Sequence, residues 1–193
     1  MGIIAAGAEL ADSWSVDGHK WLQIPYDCGF AIVKKGEYHR RAMSMQAGYL
    51  PDKEARRNNS DFVPELSRRA RGFAVWAVMQ SLGRKGIEDM IESHCHAAQM
   101  LAQSLNRIKG IEVVNRQCLN QLAVAFECPH RDGAEAVAQV LNASGRYFVR
   151  TARWRGRNLL RFSIINGETG PEHIAPLANE IAVVWRSVSQ AAA

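Results

Sequence analysis

The chain has 193 residues, of which 47% are hydrophobic and 22% are charged, and its formal net charge is +5. These values are typical of a globular protein with one or two domains. No apolar run approaches the length that crosses a membrane, and the arginines accompany no nucleic-acid-binding signature, so we expect neither a membrane nor a nucleic acid as a partner.

In the first part of the chain the patterns alternate between strands and helices. The predicted elements are strands over residues 10–17 and 29–34, a short helix over 35–43, a long exposed loop over 45–61 and a helix over 65–82. Residues 73–79 are apolar on every side, and a helix without a polar face is buried. Two tryptophans, Trp21 and Trp76, are expected in the core.

The second part of the chain predicts a separate small domain. Its expected elements are a helix over residues 87–108, strands over 111–115 and 121–127, a helix over 133–143, strands over 147–153 and 158–164 and a helix over 171–189. This order is typical of a compact α+β domain with helices on one face of a mostly antiparallel sheet. Gly83 and Gly86 interrupt the helical pattern, which divides the chain into residues 1–86 and 87–193.

The histidines and cysteines do not predict a metal site. In His94-Cys95-His96 the residues are one and two positions apart, and such neighbours on a helix point to different faces. We therefore interpret this group as part of a helix surface. The four cysteines lack metal-ligand spacing and follow no signal peptide, which indicates reduced thiols in a cytoplasmic protein.

The most informative segment is Asp12-Ser13-Trp14-Ser15-Val16-Asp17-Gly18-His19-Lys20-Trp21. It sets a lysine beside a histidine on a turn after a strand, the arrangement needed to hold an aldehyde as a Schiff base. The amine has to be unprotonated to attack a carbonyl, and a desolvated lysine with a polar or cationic neighbour has a lowered pKa. An ordinary surface lysine is the alternative.

With its continuation through Pro25-Tyr26-Asp27-Cys28-Gly29, this segment resembles the cofactor-lysine segment of the pyridoxal-phosphate-dependent group II amino acid decarboxylases, which have the fold of aspartate aminotransferase. Three later segments resemble the same family in the expected order. They are Gly48-Tyr49-Leu50 in a mobile loop, residues 65–71 with Trp76 at the start of a long helix, and residues 159–164 in a late strand. The fold implied is the end of a large α/β cofactor domain over residues 1–86, followed by a small α+β domain.

The resemblance implies roles at the cofactor end of a site. Lys20 would form the Schiff base with pyridoxal phosphate, and His19 and Ser13 would contact the cofactor phosphate. Asp17, three residues before the lysine, would orient the lysine turn or the phosphate end. Ser13 as a strand-end hydroxyl and Asp17 as a turn cap are equally open.

At the substrate end, the resemblance assigns two residues. Tyr49 would supply the proton that the α-carbon gains after carbon dioxide leaves, or hold its proton network. A plain loop aromatic is the alternative. Arg161 would hold a substrate carboxylate or bridge the two domains, and a structural ion pair is equally open.

The sequence also departs from the family. There the lysine lies past the middle of a chain about twice as long, after a phosphate loop, a histidine stacked on the cofactor ring and an aspartate that pairs with the ring nitrogen. Here 19 residues precede Lys20. We therefore expect the C-terminal portion of such an enzyme, with little or no activity alone, that pairs with the missing half or forms a homodimer.

Alternatives remain at this stage. Another reaction on the same fold, an aminotransferase or a lyase, fits the lysine segment, and a non-catalytic dimerisation module from a truncated gene fits the missing half. Aromatic amino acids, glutamate and diamino acids all remain candidate substrates, and the resemblance of the lysine segment slightly favours aromatic ones.

Overall fold

The computed structural model describes residues 5–45, 58–128 and 132–190. It divides into two compact units, Met1–Ser81 and Leu82–Ala193. Both units combine helices with antiparallel strands, as the predicted fold class requires. None of the helices in the described ranges is long and apolar enough to cross a membrane.

The first unit is built around a two-stranded hairpin. Strands β1 (Ser13–Asp17) and β2 (Gly29–Val33) pair antiparallel, with Ser13 opposite Val33 and Asp17 opposite Gly29. Helix α1 (Gly36–Met43) follows, and short 3-10 turns cover Ala8–Leu10 and Asn59–Phe62. The two predicted strands and the short helix are confirmed.

Helix α2 (Arg71–Leu105) contains a kink at Gly83, whose φ of 60° and ψ of −177° are not helical. The predicted break at Gly83 is confirmed, but the predicted start at residue 65 is wrong. Residues 65–70 are irregular, because the side chains of Arg69 and Arg71 turn towards the loop before β2, where tertiary contacts override the local helical pattern.

The apolar part of α2 in the first unit is not buried in this chain. Phe73 is 72% exposed and Trp76 is 57% exposed, so the predictions of a buried helix over residues 73–79 and of Trp76 in the core are wrong here. Trp21 is partly buried. The rings of Phe73 and Trp76 contact each other, with centroids 5.9 Å apart, and the described residues of this unit leave both side chains exposed.

The second unit contains the rest of α2 and a four-stranded sheet. The strands are β3 (Ile111–Val113), β4 (Gln121–Phe126), β5 (Arg150–Trp154) and β6 (Arg157–Ser163), and the helices are α3 (Gly133–Ala143) and α4 (Ile174–Gln190). The strand order is β3-β4-β6-β5, with every neighbouring pair antiparallel.

The core of the second unit lies on one face of this sheet. Leu122 lies opposite Phe162 and Val124 opposite Leu160, and these side chains join one buried cluster with residues of α2, α3 and α4. Because side chains alternate along a strand, the opposite face carries Arg161 and its neighbour Ala123. The prediction of helices on one face of an antiparallel sheet is confirmed.

His94 corrects one sequence interpretation. It is not on a helix surface, since it is 1% exposed and its Nε2 lies 2.9 Å from the carbonyl oxygen of Asn166. It shares the buried face of α2 with Ala97, Ala98 and Leu101, at the spacing that one helix face requires. Burial of the neighbouring Cys95 raises the pKa of its thiol. The described residues contain no cluster of three or more side chains that could hold a metal ion.

Candidate functional site

Lys20 lies on a tight turn that follows β1. The turn is closed by backbone hydrogen bonds from Lys20 to Asp17 (3.2 Å), from Gln23 to Lys20 (3.2 Å) and from Ile24 to Gly18 (3.1 Å). A Cβ at Gly18 would come within 2.6 Å of the ring of Phe30. Only glycine therefore allows the turn to pack this closely against β2.

The ammonium of Lys20 forms an ion pair with the carboxylate of Asp17. The two side chains are 64% and 47% exposed, so the desolvated environment that we expected around Lys20 is absent among the described residues. The Lys20 ammonium lowers the pKa of Asp17. The lysine turn thus brings Asp17 and Lys20 into direct contact, and the ion pair restrains the lysine side chain.

His19 is held against the backbone of Cys28. Its Nδ1 lies 3.1 Å from the amide nitrogen and 2.7 Å from the carbonyl oxygen of Cys28, and its own amide donates to that oxygen at 3.2 Å. The ring of Tyr26 meets the imidazole edge-on, with centroids 4.5 Å apart. These contacts engage Nδ1 and leave Nε2 as the ring nitrogen directed away from Cys28.

Ser13 is separated from the lysine turn by the length of β1. It lies four residues before Asp17, which corresponds to about 13 Å along a strand. Ser13, Ser15 and Asp17 share one face of the strand because side chains alternate, and all three are exposed. Ser15 is therefore the serine nearer to Lys20, and strict alternation along the strand was the signal that could have identified it.

A second feature, which the sequence did not predict, adjoins the turn. Arg71 binds Asp27 with two hydrogen bonds, from Nε to Oδ1 and from Nη2 to Oδ2, both 3.0 Å. Arg69 donates from Nη1 to the carbonyl oxygen of Tyr26 at 2.8 Å. We call these four residues the arginine clamp. Within it, Arg71 lowers the pKa of Asp27 and Asp27 raises the pKa of Arg71.

A cavity of about 780 Å³ lies beside the arginine clamp. Its volume falls in the range of small-molecule sites. It is lined by the start of β2, by the irregular segment before α2 and by the first turn of α2, including Gly29, Glu65, Arg68, Arg69, Arg71 and Phe73. Its wall is basic, which suits an anionic group.

The two residues assigned to the substrate end stay predictions. Tyr49 lies outside the described residues. Arg161 lies on β6 in the second unit, exposed on the face of the sheet opposite the buried cluster, directly opposite Ala123 and Arg150. It borders a groove of about 380 Å³ with Gln121 and Trp154. Within the ranges that the structure covers, Arg161 forms no ion pair.

Comparison with known proteins identifies the family. Residues 3–128 match the model of the pyridoxal-dependent decarboxylase conserved domain. The sequence is 26% identical over 178 residues to tryptophan decarboxylase 2 of Oryza sativa subsp. japonica and 28% identical over 190 residues to the aromatic-L-amino-acid decarboxylase of Sus scrofa. These alignments cover 87% and 91% of the chain.

Solved structures of the same kind share the fold. The crystal structure of Oryza sativa TDC with PLP and tryptamine matches with a TM-score of 0.87 at 22% identity, over 96% of this chain and 41% of that one. Mouse CSAD matches with a TM-score of 0.78 at 18% identity, over 94% of this chain and 41% of that one.

The chain spans only 36% and 38% of the length of the two curated relatives. The match nevertheless includes the lysine turn, β1, β2 and the arginine clamp, since all of them lie within residues 3–128. The expected resemblance is thereby confirmed, and the chain belongs to the pyridoxal-dependent decarboxylase family.

Proposed function

We propose that this chain is the C-terminal portion of an amino acid decarboxylase that depends on pyridoxal phosphate and releases carbon dioxide to leave an amine. The observation that carries the proposal is the lysine turn, where Asp17 ends β1 and His19 and Lys20 follow it, inside the segment that matches the family. Residues 1–86 then belong to the cofactor domain and residues 87–193 to a small C-terminal domain.

The residues of the turn fit the aldehyde and phosphate ends of pyridoxal phosphate. Lys20 would hold the aldehyde end of the cofactor through its exposed amine, and Asp17, paired with it, would orient the lysine turn. Nε2 of His19 and the hydroxyls of Ser15 and Ser13 are candidate contacts to the phosphate. When bound, the cofactor supplies an electron sink for the pair left on the α-carbon.

Two further roles complete the proposal. Tyr49 provides the proton that the α-carbon gains once the carbon–carbon bond to the carboxylate has broken, and Arg161 holds a carboxylate of the substrate. The exposed guanidinium of Arg161, without an ion pair in the described part of the chain, supports its role, because a guanidinium binds a carboxylate with two parallel hydrogen bonds.

A partner chain is also part of the proposal. Phe73 and Trp76 are neighbouring exposed aromatic side chains on α2, and Trp14, Val16 and Ile32 are exposed on the hairpin. Exposed apolar patches of this kind mark interaction sites. We infer that a second copy of this chain or the missing half of the enzyme covers them.

The cysteines are free wherever the structure describes them, which supports a cytoplasmic location.

We infer the substrate class from the relatives. Tryptophan and aromatic-L-amino-acid decarboxylases favour an aromatic amino acid. A second candidate product is an aldehyde instead of an amine, because phenylacetaldehyde synthase of Arabidopsis thaliana is 26% identical over 180 residues. Product analysis of the complete enzyme separates an amine from an aldehyde, and a keto acid would indicate transamination instead.

Displacement of the cofactor from Lys20 tests the proposal without requiring turnover. The chain is incubated with pyridoxal phosphate, reduced with borohydride and digested, and the pyridoxyl-labelled Lys20 peptide is quantified. Adding L-tryptophan before reduction should lower the Lys20 label, because a substrate amine competes for the same aldehyde carbon. L-glutamate at equal concentration and the Lys34→Ala variant are the controls. A Lys20 label that both amino acids lower equally, or that never forms, contradicts the proposal.

A further inference from the structure

We infer that Arg71, assisted by Arg69, is a positioning residue that holds the lysine turn through the arginine clamp. The functional meaning of this inference rests on the proposed function, because a held turn matters for catalysis only if Lys20 binds the cofactor. The contacts that hold the turn do not themselves involve the cofactor.

The contacts form one continuous path from α2 to the lysine turn. Arg71 donates two hydrogen bonds to the carboxylate of Asp27, and Arg69 donates one to the carbonyl oxygen of the preceding residue, Tyr26. The ring of Tyr26 contacts His19, and Cys28, on the other side of Asp27, exchanges backbone and side-chain hydrogen bonds with His19. Three consecutive loop residues are thus each held, and two of them contact the neighbour of Lys20.

Burial cannot replace the clamp in the middle of this loop. Ile24 and Cys28 anchor its two ends, at 3% and 4% exposure, but Tyr26 between them is 77% exposed. Apolar burial therefore stabilises the ends of the loop and contributes little at its centre. The polar contacts of Arg69 and Arg71 are what hold residues 26 and 27 in place.

The geometry distinguishes this pair from an ordinary surface ion pair. Isolated exposed ion pairs contribute little unless they are bidentate or part of a network. The Arg71–Asp27 pair is bidentate, joins residues 44 positions apart in the chain and acts with a second arginine. A fixed fork of this kind restricts both the position and the rotation of its partner. The expected consequence is a pre-organised turn that presents Lys20 in one place.

The test measures hydrogen exchange of the Cys28 amide, which donates to His19, in the full 193-residue chain. Protection of this amide should fall by about tenfold or more in Arg71→Gln and in the isosteric Asp27→Asn. Arg71→Lys keeps the charge without the fork and should fall between these variants and the wild type. Amides of β4, in the second unit, should keep their protection.

Arg68→Gln is the matched control, since Arg68 lies in the same segment but donates only locally, to the carbonyl of Leu66, among the contacts described. Unchanged protection of Cys28 in Asp27→Asn overturns the inference, and so does an equal loss in Arg68→Gln. If Arg71→Gln also lowers the protection of the β4 amides, the variant has lost stability generally. The result for Asp27→Asn then tests the inference alone, because this substitution keeps the shape of the side chain.

A second readout separates this inference from the proposed function. The borohydride-trapped label at Lys20, relative to Lys34, should decrease several-fold in Asp27→Asn, by a loss of pre-organisation. If the Cys28 amide loses protection in Asp27→Asn but Lys20 of the wild type takes no label, the inference about the arginine clamp stands and the proposed function fails. If Lys20 is labelled equally in the wild type and in Asp27→Asn, and protection of the Cys28 amide is the same in both, the inference about the arginine clamp is wrong and the proposed function stands.

Discussion

The two units of the chain are stabilised in different ways. In the second unit, three helices bury an apolar cluster against one face of a four-stranded sheet. In the described part of the first unit, Ile24 and Cys28 are the only buried hydrophobic side chains, and the loop beside Lys20 is held by arginines. The second unit therefore carries its own core, whereas the described part of the first unit places Lys20 beside an exposed hairpin and has exposed apolar side chains.

The largest effect should come from the core of the second unit. Leu160→Ala removes a fully buried side chain opposite Val124 and should lower the free energy of unfolding by about 2–5 kcal/mol, because it leaves a cavity. Denaturant unfolding measures the change. The control Val183→Ala, at a position 55% exposed, should change the same quantity by less than about 0.5 kcal/mol. Equal effects would mean that the second unit lacks a specific core.

Self-association should depend on the first unit. We expect the chain to associate at micromolar concentration, and Phe73→Ser with Trp76→Ser should weaken that association by about tenfold or more, because exposed aromatic side chains dominate protein contacts. Sedimentation measures the effect. Val140→Ser, at a position 48% exposed on α3, is the control. A wild-type chain that sediments as a clean monomer would contradict this expectation.

The smallest effect concerns pH. Arg71 lowers the pKa of Asp27 below its usual value of 3.8, so the stabilisation from the clamp is fully present above that value and is lost as the pH falls through the lowered pKa. The ratio of Cys28 exchange protection in the wild type to that in Asp27→Asn, which keeps the acceptor His19, should be constant from pH 7 to pH 5 and decrease only below about pH 4. A decrease centred near neutral pH would assign it to another group.

The periodic part of the fold was predictable from the sequence. Helix α3 occupies Gly133–Ala143, the range predicted, whereas β4 ends one residue before its predicted range and β6 is shifted from its predicted range by one residue. These elements face one local core, so their hydrophobic periods follow directly from burial. His94 shows the same rule, because it shares the helical spacing of Ala98 and Leu101 and is buried with them.

The missed features depend on contacts between distant residues. Arg71 and Asp27 are 44 positions apart, and no spacing rule relates a loop aspartate to an arginine before a helix. The same contacts explain why α2 begins at Arg71. The exposure of Trp76 was missed for a related reason: an apolar pattern predicts that a side chain is covered, but it does not say by which chain.

The central claim is that the aldehyde of pyridoxal phosphate bonds to Lys20 in preference to the other lysines. Substoichiometric pyridoxal phosphate, borohydride reduction and a peptide map of all six lysines, at positions 20, 34, 35, 53, 85 and 109, measure this preference directly. We predict that most of the label lies on Lys20 and that Lys20→Ala removes this fraction without moving it to Lys34 or Lys35. A label spread evenly over the six lysines would contradict the claim.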